Sequence, residues 1–101
     1  MASLRFEWDE AKNLANQRKH GIRFEQAIEV FDDPLYVQAL ERIENGEERW
    51  QTFGLIGDIL FLVVHTIKEE REGSELIELF RVISVRYATP WERRRYELEN
   101  G

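Results

Sequence analysis

The hydrophobic pattern of this chain changes its period at Pro34, and this change limits the fold more than any other feature. Before Pro34 the apolar residues Phe24, Ala27, Ile28 and Phe31 recur every three or four positions, which predicts a helix. After it, segments rich in β-branched and aromatic residues alternate with turn signals, which predicts strands. A chain with helices first and consecutive strands afterwards is expected to adopt an α+β fold.

Two helices are predicted before Pro34. The alternating stretch Phe6-Glu7-Trp8 predicts a short strand, and the carboxylate of Asp9 suits the N-cap of a helix that runs from Asp9 to His20. Gly21 suits the left-handed conformation that often follows a helix end. A second helix is predicted from Phe24 until Asp32-Asp33-Pro34 stops it.

Four strands are predicted after Pro34. Turn signals at Asn45-Gly46, Gly57-Asp58 and Gly73-Ser74 separate them, and this spacing predicts an antiparallel meander. The predicted strands are Tyr36 to Leu40, Arg49 to Leu55, Ile59 to Thr66 and Ile77 to Arg86. The polar segment Lys68 to Glu75 is predicted to be a mobile hairpin loop.

The last predicted element is a helix from Pro90 to about Glu99. Thr89 and Glu92 form a capping-box pattern, with proline at the first helical position. The predicted order is therefore β-α-α-β-β-β-β-α. With 101 residues, the chain is expected to form one domain, an antiparallel sheet with two N-terminal helices and one C-terminal helix.

The charge of the chain is unevenly distributed. Its formal net charge is −6, yet Lys12 to Arg23 holds four basic residues and no acid, and Arg81 to Arg95 holds five arginines against Glu92 alone. Between them, Glu25 to Glu78 carries 14 acids and 4 bases. This pattern argues against unspecific adhesion to nucleic acid, but it allows a local anion site if folding brings the basic segments together.

Several kinds of site and location are not expected. The chain has no cysteine, and His20 and His65 share no metal-binding motif, so no metal or cofactor is predicted. The N-terminus lacks the apolar run of a signal peptide, and the longest apolar run, Ile59 to Val64, is too short to span a bilayer. We therefore expect a cytoplasmic protein that does not bind membranes.

Three segments carry a resemblance to a known family. They are "FEWDEAKNLANQRKHGIRFEQAIEVFDDP", "GEERWQTFG" and "RVISVRYATPWERRRYE", and together they cover the chain nearly end to end. In this order and spacing they resemble the BrnT family of bacterial toxins, which have a RelE-like fold. The resemblance implies the toxin of a type II toxin–antitoxin system, a ribonuclease that cleaves mRNA and inhibits translation.

The resemblance also implies a set of partners. The expected partner is a BrnA-like antitoxin with a ribbon-helix-helix DNA-binding part, so that DNA is contacted only indirectly, and RNA is the expected substrate. A homodimer and a heterotetramer with the antitoxin both stay open. The alternative function is a catalytically weak or inactive module that binds its partner within an autoregulatory antitoxin–DNA complex.

Lys19 and His20 are the first candidate site residues. Cations in the last turn of a helix commonly offset the partial negative charge of its free carbonyl groups. The resemblance matches the word Lys-His-Gly and so also implies contact with RNA, with Lys19 as an RNA-binding residue and His20 as a catalytic one. Arg18 is expected only to offset the helix dipole.

Glu47 and Arg49 are candidates at the start of a strand. Being two residues apart, they should point to one face, as a surface ion pair or as a catalytic pair. The planar guanidinium of Arg49 suits a scissile phosphate better than the point charge of a lysine.

Arg86, Tyr87 and Arg93 are the candidates near the C-terminus. Arg81 and Arg86 are five residues apart, so they should face opposite sides of the last strand unless a bulge intervenes. Arg86 matches the family position, Tyr87 could carry a proton or stack on a base, and Arg93 is the expected RNA-binding residue of the terminal helix. The segment Arg18-Lys19-His20 is expected to form one wall of a cleft, with Arg49 and Arg86 as its floor.

Overall fold

The computed structural model describes residues 3–101 and has an α+β fold with one five-stranded sheet, which confirms the predicted fold class. The elements are β1 (Ser3–Glu7), α1 (Glu10–His20), α2 (Phe24–Ala27) with a 3₁₀ helix (Ile28–Asp32), β2 (Val37–Glu44), β3 (Glu47–Ile56), β4 (Ile59–Glu72), β5 (Glu75–Tyr87) and α3 (Pro90–Asn100). None of the helices within residues 3–101 is long and apolar enough to cross a lipid bilayer.

The sheet is mixed, so the prediction of an antiparallel sheet is wrong for one strand. The strand order is β1-β5-β4-β3-β2, and β2 to β5 form the predicted antiparallel meander. β1, however, pairs with β5 in parallel, with Ser3 opposite Ile77 and Glu7 opposite Arg81. A two-residue hairpin forces antiparallel pairing, but most of the chain separates β1 from β5, which leaves the direction of β1 free.

The predicted helix ends are present. The Oδ1 atom of Asp9 accepts hydrogen bonds from the amides of Ala11 at 2.8 Å and Lys12 at 3.3 Å, and Gly21 has the expected left-handed φ of 73°. The second predicted helix is instead divided into α2 and the 3₁₀ helix. The 3₁₀ helix packs so closely on β3 that a Cβ atom on Gly54 would lie 2.7 Å from the Cβ and carbonyl oxygen of Val30.

The segment Lys68 to Glu75 is strand and turn rather than a mobile loop, which corrects the prediction. β4 and β5 pair up to Glu72 opposite Glu75, and only Gly73 and Ser74 form the turn. The polar composition misled the prediction because both faces of this hairpin end meet solvent. The strand β1 lies beside it, with the Arg5 Nη1 atom 2.6 Å from the Glu72 carboxylate.

A β-bulge in β5 changes which side chains share a face. Val64 lies opposite Ser84 but His65 lies opposite Val82, so one extra residue is inserted in β5. Directly opposed residues lie on the same face of a sheet. Arg81 and Arg86 are opposite Thr66 and Leu62, which are four residues apart on the regular strand β4. The two arginines therefore share one face, and the expectation of opposite faces is wrong because the bulge intervenes.

The two faces of the sheet are covered to different extents. One face carries the larger core, with α2 and the 3₁₀ helix packed on it; its buried residues are Ile22, Phe24, Ala27, Val30, Phe61, Val63, Val82 and Val85. On the other face, α3 buries Tyr96 against a second cluster at one end of the sheet, formed by Val37, Phe53, Leu60 and Leu62. We call this second face, beyond the reach of α3, the open face.

Helix α1 continues along the edge of β5 where β1 ends. β1 pairs with β5 only as far as Arg81, so the amide of Val85 has no neighbouring strand on that side. The Oδ1 atom of Asn16 accepts a hydrogen bond from this amide at 3.0 Å, and its Nδ2 atom donates to the carbonyl of Ile22, also at 3.0 Å. Asp9, at the start of α1, lines a depression together with Arg81. The helix therefore begins at the level of Arg81 and extends past Val85.

Candidate functional site

Glu47 and Arg49 lie on the open face, on the same side of β3, as their spacing predicts. They are directly opposite two charged residues of β2, with Glu44 opposite Glu47 and Arg42 opposite Arg49. Because opposed residues share a face, four charged side chains gather at this end of the sheet. Arg42 and Glu47 are exposed and Glu44 and Arg49 are partly buried, so within residues 3–101 this end of the open face is accessible to a ligand as long as a nucleic-acid strand.

The guanidinium of Arg49 is only loosely held. Its Nε atom lies 3.4 Å from the Oε2 atom of Glu44, and Arg42 Nη2 lies 3.0 Å from the same oxygen. Neither contact has the alignment of a hydrogen bond, and within residues 3–101 both the Arg49 Nε and the Glu44 Oε2 are buried without a hydrogen-bond partner. Arg49 thus makes no aligned side-chain hydrogen bond within these residues, and its guanidinium would have to move toward the surface to donate to a phosphate oxygen.

The open face also carries Arg81, which is not among the site residues predicted from the sequence. Arg81 and Lys68 line one shallow depression with Glu7, Glu47, Thr66 and Leu79. The sequence contains no signal for this arrangement, because the bulge that turns Arg81 to the face of Arg49 depends on the pairing of β4 with β5. Alternation along β5 alone predicts the opposite result.

Arg86 is committed to the first turn of α3. Its Nη1 and Nη2 atoms donate to the two carboxylate oxygens of Glu92 at 2.7 and 2.8 Å, and Nη1 also reaches the carbonyl of Tyr87 at 3.2 Å. The same carboxylate accepts from the amide of Thr89 at 2.8 Å, which completes the predicted capping box. The hydrogen bonds from Arg86 lower the pKa of Glu92, and those to Glu92 raise the pKa of Arg86. Arg86 is therefore an anchor for α3.

Tyr87 and Arg93 meet in a pocket between the β3–β4 turn and the start of α3. The pocket has a volume of about 330 Å³, and its other lining residues are Asp58, Ile59, Leu60, Ala88, Thr89 and Pro90. Arg93 is oriented by a 3.2 Å hydrogen bond from Nη1 to the carbonyl of Asp58. The half-exposed ring of Tyr87 lies 5.3 Å from the ring of Phe61. The structure therefore brings two of the predicted residues together.

Lys19 and His20 lie apart from Glu47 and Arg49. Helix α1 begins at the level of Arg81 and its 11 residues span roughly 16 Å, so the end that carries Lys19 and His20 lies far along β5. In residues 3–101, neither side chain makes a hydrogen bond or an ion pair. The predicted cleft, with Lys19 and His20 as a wall and Arg49 in the floor, is not formed.

The other histidine, His65, is a core residue. It is fully buried, stacks on Phe80 with ring centroids 5.1 Å apart, and its Nε2 atom lies 2.6 Å from the hydroxyl of Thr52. Burial lowers its pKa to about 4. Within residues 3–101, no group of three or more histidine and acidic side chains is spaced to hold a metal ion.

A family model described as a ribonuclease toxin, BrnT, of a type II toxin–antitoxin system matches residues 8–92. The matched segment contains His20, Glu47, Arg49, Arg86 and Tyr87, and it ends one residue before Arg93. No curated protein matches the chain.

Proposed function

Because the chain belongs to the BrnT family of ribonuclease toxins of type II toxin–antitoxin systems, we propose that it is an endoribonuclease that cleaves mRNA and so inhibits translation. The family match supports the ribonuclease activity. The choice of substrate follows from the chemistry of the open face, where a carboxylate and several cations are accessible to an extended single strand. Messenger RNA offers such strands in the cytoplasm, where we expect the protein to act.

The observation that carries the proposed site is the common face of Glu47 and Arg49. In this mechanism the Glu47 carboxylate takes the proton of a ribose 2′-hydroxyl, and the 2′-oxygen attacks the adjacent phosphorus. The guanidinium of Arg49 stabilises the negative charge that develops on the non-bridging oxygens. The bond from phosphorus to the 5′-oxygen breaks, and a second group protonates that oxygen. The products are a 2′,3′-cyclic phosphate and a 5′-hydroxyl.

The remaining candidates have defined places in this proposal. RNA that continues past the open face at the end near α3 would reach the pocket of Tyr87 and Arg93. The Tyr87 ring lies on the face of Phe61 rather than on the open face, and a base could stack on it at this edge of the sheet. Lys19 would contact a phosphate near the end of α1. Catalytic roles for His20, Arg86 and Tyr87 remain predictions. His20 and Glu47 are alternatives for the proton-transfer role, because His20 lies at the C-terminal end of α1 whereas Glu47 lies with Arg81 at the level of its N-terminal end.

The test of this mechanism is cleavage of a defined RNA by the purified toxin. We expect activity in excess EDTA, with 2′,3′-cyclic phosphate or 3′-phosphate ends, because the nucleophile comes from the RNA and no step needs a metal ion. Glu47→Gln should lower the rate by about 10²-fold, the usual contribution of a general base. His20→Ala should lower it as much only if His20 carries a proton. The surface variant Arg94→Ala is the control.

Two results would contradict the mechanism. Activity that disappears with EDTA, returns with Mg²⁺ and leaves 5′-phosphate ends would identify a metal-dependent nuclease. An unchanged rate in Glu47→Gln, together with a large loss in His20→Ala, would move the cleavage centre to the other end of α1.

We also propose a RelE-like fold in one domain and a BrnA-like antitoxin with a ribbon-helix-helix part. The order of elements within residues 3–101 supports the fold, and membership of a type II toxin–antitoxin family implies an antitoxin. DNA would be contacted only through the antitoxin. The assembly would be a homodimer or a heterotetramer with the antitoxin.

A second candidate function is a weak or inactive toxin that acts as a partner-binding module in an autoregulatory complex. The observation that favours it is the pairing of Arg86 with Glu92 and of Arg49 with Glu44, in a chain with a net charge of −6. Expression without the antitoxin separates the two functions. The ribonuclease arrests growth and degrades RNA, whereas the module does neither.

A further inference from the structure

We propose that Arg81 binds the scissile phosphate together with Arg49, and that Lys68 adds a third cation beside Arg81. This inference rests on the proposed ribonuclease function and names a phosphate-binding residue for the same site. It is carried by the bulge in β5, which turns Arg81 to the open face.

The sheet register puts Arg49 and Arg81 in the two strands that flank β4, each opposite Thr66. Trp50 lies opposite His65, so continuing this register puts Arg49 opposite Thr66, and Thr66 lies opposite Arg81. Adjacent strands are about 4.8 Å apart, so the Cα atoms of the two arginines are about 10 Å apart. Two arginine side chains can reach a phosphate above Thr66 from this separation.

Within residues 3–101, Arg81 and Lys68 are the cations of this site that form no ion pair. Over the same described residues, no carboxylate oxygen lies within 4.0 Å of a side-chain nitrogen of Arg81 or Lys68, whereas Arg86 is held by both oxygens of Glu92. Glu7 lines the same depression, opposite Arg81 in the register, without forming an ion pair with it. Since the donors of Arg81 are not used by another side chain, an RNA phosphate can accept from them without breaking an ion pair.

The same depression contains the proposed base. Glu47 lines it with Lys68 and Arg81, so a ribose 2′-hydroxyl near Glu47 would have its phosphate next to both cations. Arg81 can donate two parallel N–H bonds to the non-bridging oxygens, a geometry that lysine lacks. The cations thus surround the phosphorus at which charge develops, close to the group that removes the proton.

The experiment compares Arg81→Ala, Arg81→Lys and the matched control Arg71→Ala. Arg71 is an exposed arginine of β4 in the same hairpin, but its odd-numbered position directs it to the opposite face from Thr66 and Lys68. Each variant is assayed for cleavage of one RNA and for binding of its 2′-O-methyl form, which cannot be cleaved, over a range of salt concentrations. Thermal unfolding checks that each variant is folded.

We expect Arg81→Ala to lower the cleavage rate by about 10²-fold, as loss of one charge-stabilising donor does elsewhere. It should also reduce the slope of log K against log salt by about 0.7, the value for one phosphate contact with a single strand. Arg81→Lys should restore the slope but not the rate, because it keeps the charge without the paired donors. Arg71→Ala should match the wild type in both measurements.

The outcomes separate this inference from the proposed function. If the wild type cleaves RNA and folded Arg81→Ala retains both its rate and its salt slope, Arg81 is not a phosphate ligand and the ribonuclease function stands. An equal loss in Arg71→Ala would also overturn the inference, since it would show a general effect of charge. If the wild type neither cleaves nor binds RNA, the proposed function fails and the inference fails with it.

Discussion

His65 illustrates at the scale of a single residue how burial decides the role of a titratable group. Its Nδ1 atom lies 3.3 Å from the carbonyl of Thr66, and its Nε2 atom lies 2.6 Å from the Thr52 hydroxyl, which accepts a hydrogen bond from Gln38 at 3.0 Å. A neutral imidazole with one donor and one acceptor satisfies both contacts. The residue therefore holds β3 and β4 together in its uncharged form.

The lowered pKa of His65 predicts a loss of stability in mild acid. Its pKa falls from the ordinary 6.5 to about 4, so the unfolded chain takes up the proton first. The stability that neutral His65 contributes is fully present above pH 6.5 and is lost as the pH falls toward 4. Between pH 7 and pH 5 the free energy of unfolding should decrease by about 2 kcal/mol, measured by urea denaturation.

A His65→Gln variant is the control for this measurement, because it cannot titrate. This variant should be less stable than the wild type at pH 7, but its free energy of unfolding should change much less between pH 7 and pH 5. The acidic groups with lowered pKa values, such as Glu25, Asp33 and Glu92, titrate at lower pH. They therefore contribute little to the change in the free energy of unfolding between pH 7 and pH 5. The same pH dependence in His65→Gln and the wild type would show that another group is responsible.

At the scale of elements, α3 is attached to the sheet by a small number of specific contacts. Tyr96 packs in the second core cluster, and its hydroxyl donates to the Asp33 carboxylate at 2.6 Å. Arg86 and Glu92 join the end of β5 to the first turn of the helix. Because these contacts hold the first turn and the middle of α3, losing either one should loosen the helix.

We predict that Arg86→Ala destabilises the protein rather than acting on chemistry alone. The change leaves the mostly buried carboxylate of Glu92 without its main partner, and it should lower the free energy of unfolding by about 1 to 2 kcal/mol. Urea denaturation measures this effect, with Arg94→Ala as the matched control. The exchange of the two charges in an Arg86→Glu, Glu92→Arg double variant should recover part of the loss.

The prediction that Arg86 is catalytic has a different expected result. If it is right, Arg86→Ala retains wild-type stability while the rate of RNA cleavage falls steeply. That combination of results would restore Arg86 to the cleavage site and contradict the anchoring role.

At the scale of the whole molecule, the distribution of charge restricts where an anion can bind. The net charge of −6 disfavours RNA binding over most of the surface, while Lys68 and Arg81 share a depression on the open face and Arg49 lies on the same face. An antitoxin that silences the enzyme should cover this face. Acidic groups on the antitoxin would then meet the cations that are proposed to bind phosphate.

Charge reversal tests where the antitoxin binds. Lys68→Glu and Arg81→Glu should each weaken the toxin–antitoxin complex at least about 10-fold in Kd, because each puts a like charge in the interface on the open face. Isothermal titration at fixed salt gives the affinities, and Arg94→Glu serves as the control. If both complexes keep their affinity and Arg94→Glu loses it, the antitoxin instead binds the outer side of α3, where Trp91 and Leu98 are exposed.

The sequence by itself determined the features that depend on neighbouring residues. The Asp9 cap, the left-handed Gly21 and the capping box of Thr89 and Glu92 each involve atoms within about four positions of one another, so a local pattern contains the whole interaction. The common face of Glu47 and Arg49 followed in the same way from the two-residue period of a regular strand.

Only the tertiary structure decided the features that depend on pairing between distant segments. The parallel direction of β1, the long β4–β5 hairpin and the common face of Arg81 and Arg86 all depend on which strands lie side by side. The separation of His20 from Arg49 depends on the edge of β5 that α1 covers through Asn16 and Val85, 69 positions apart. A period read along one strand is lost at a bulge, because the inserted residue reverses the alternation of every side chain beyond it.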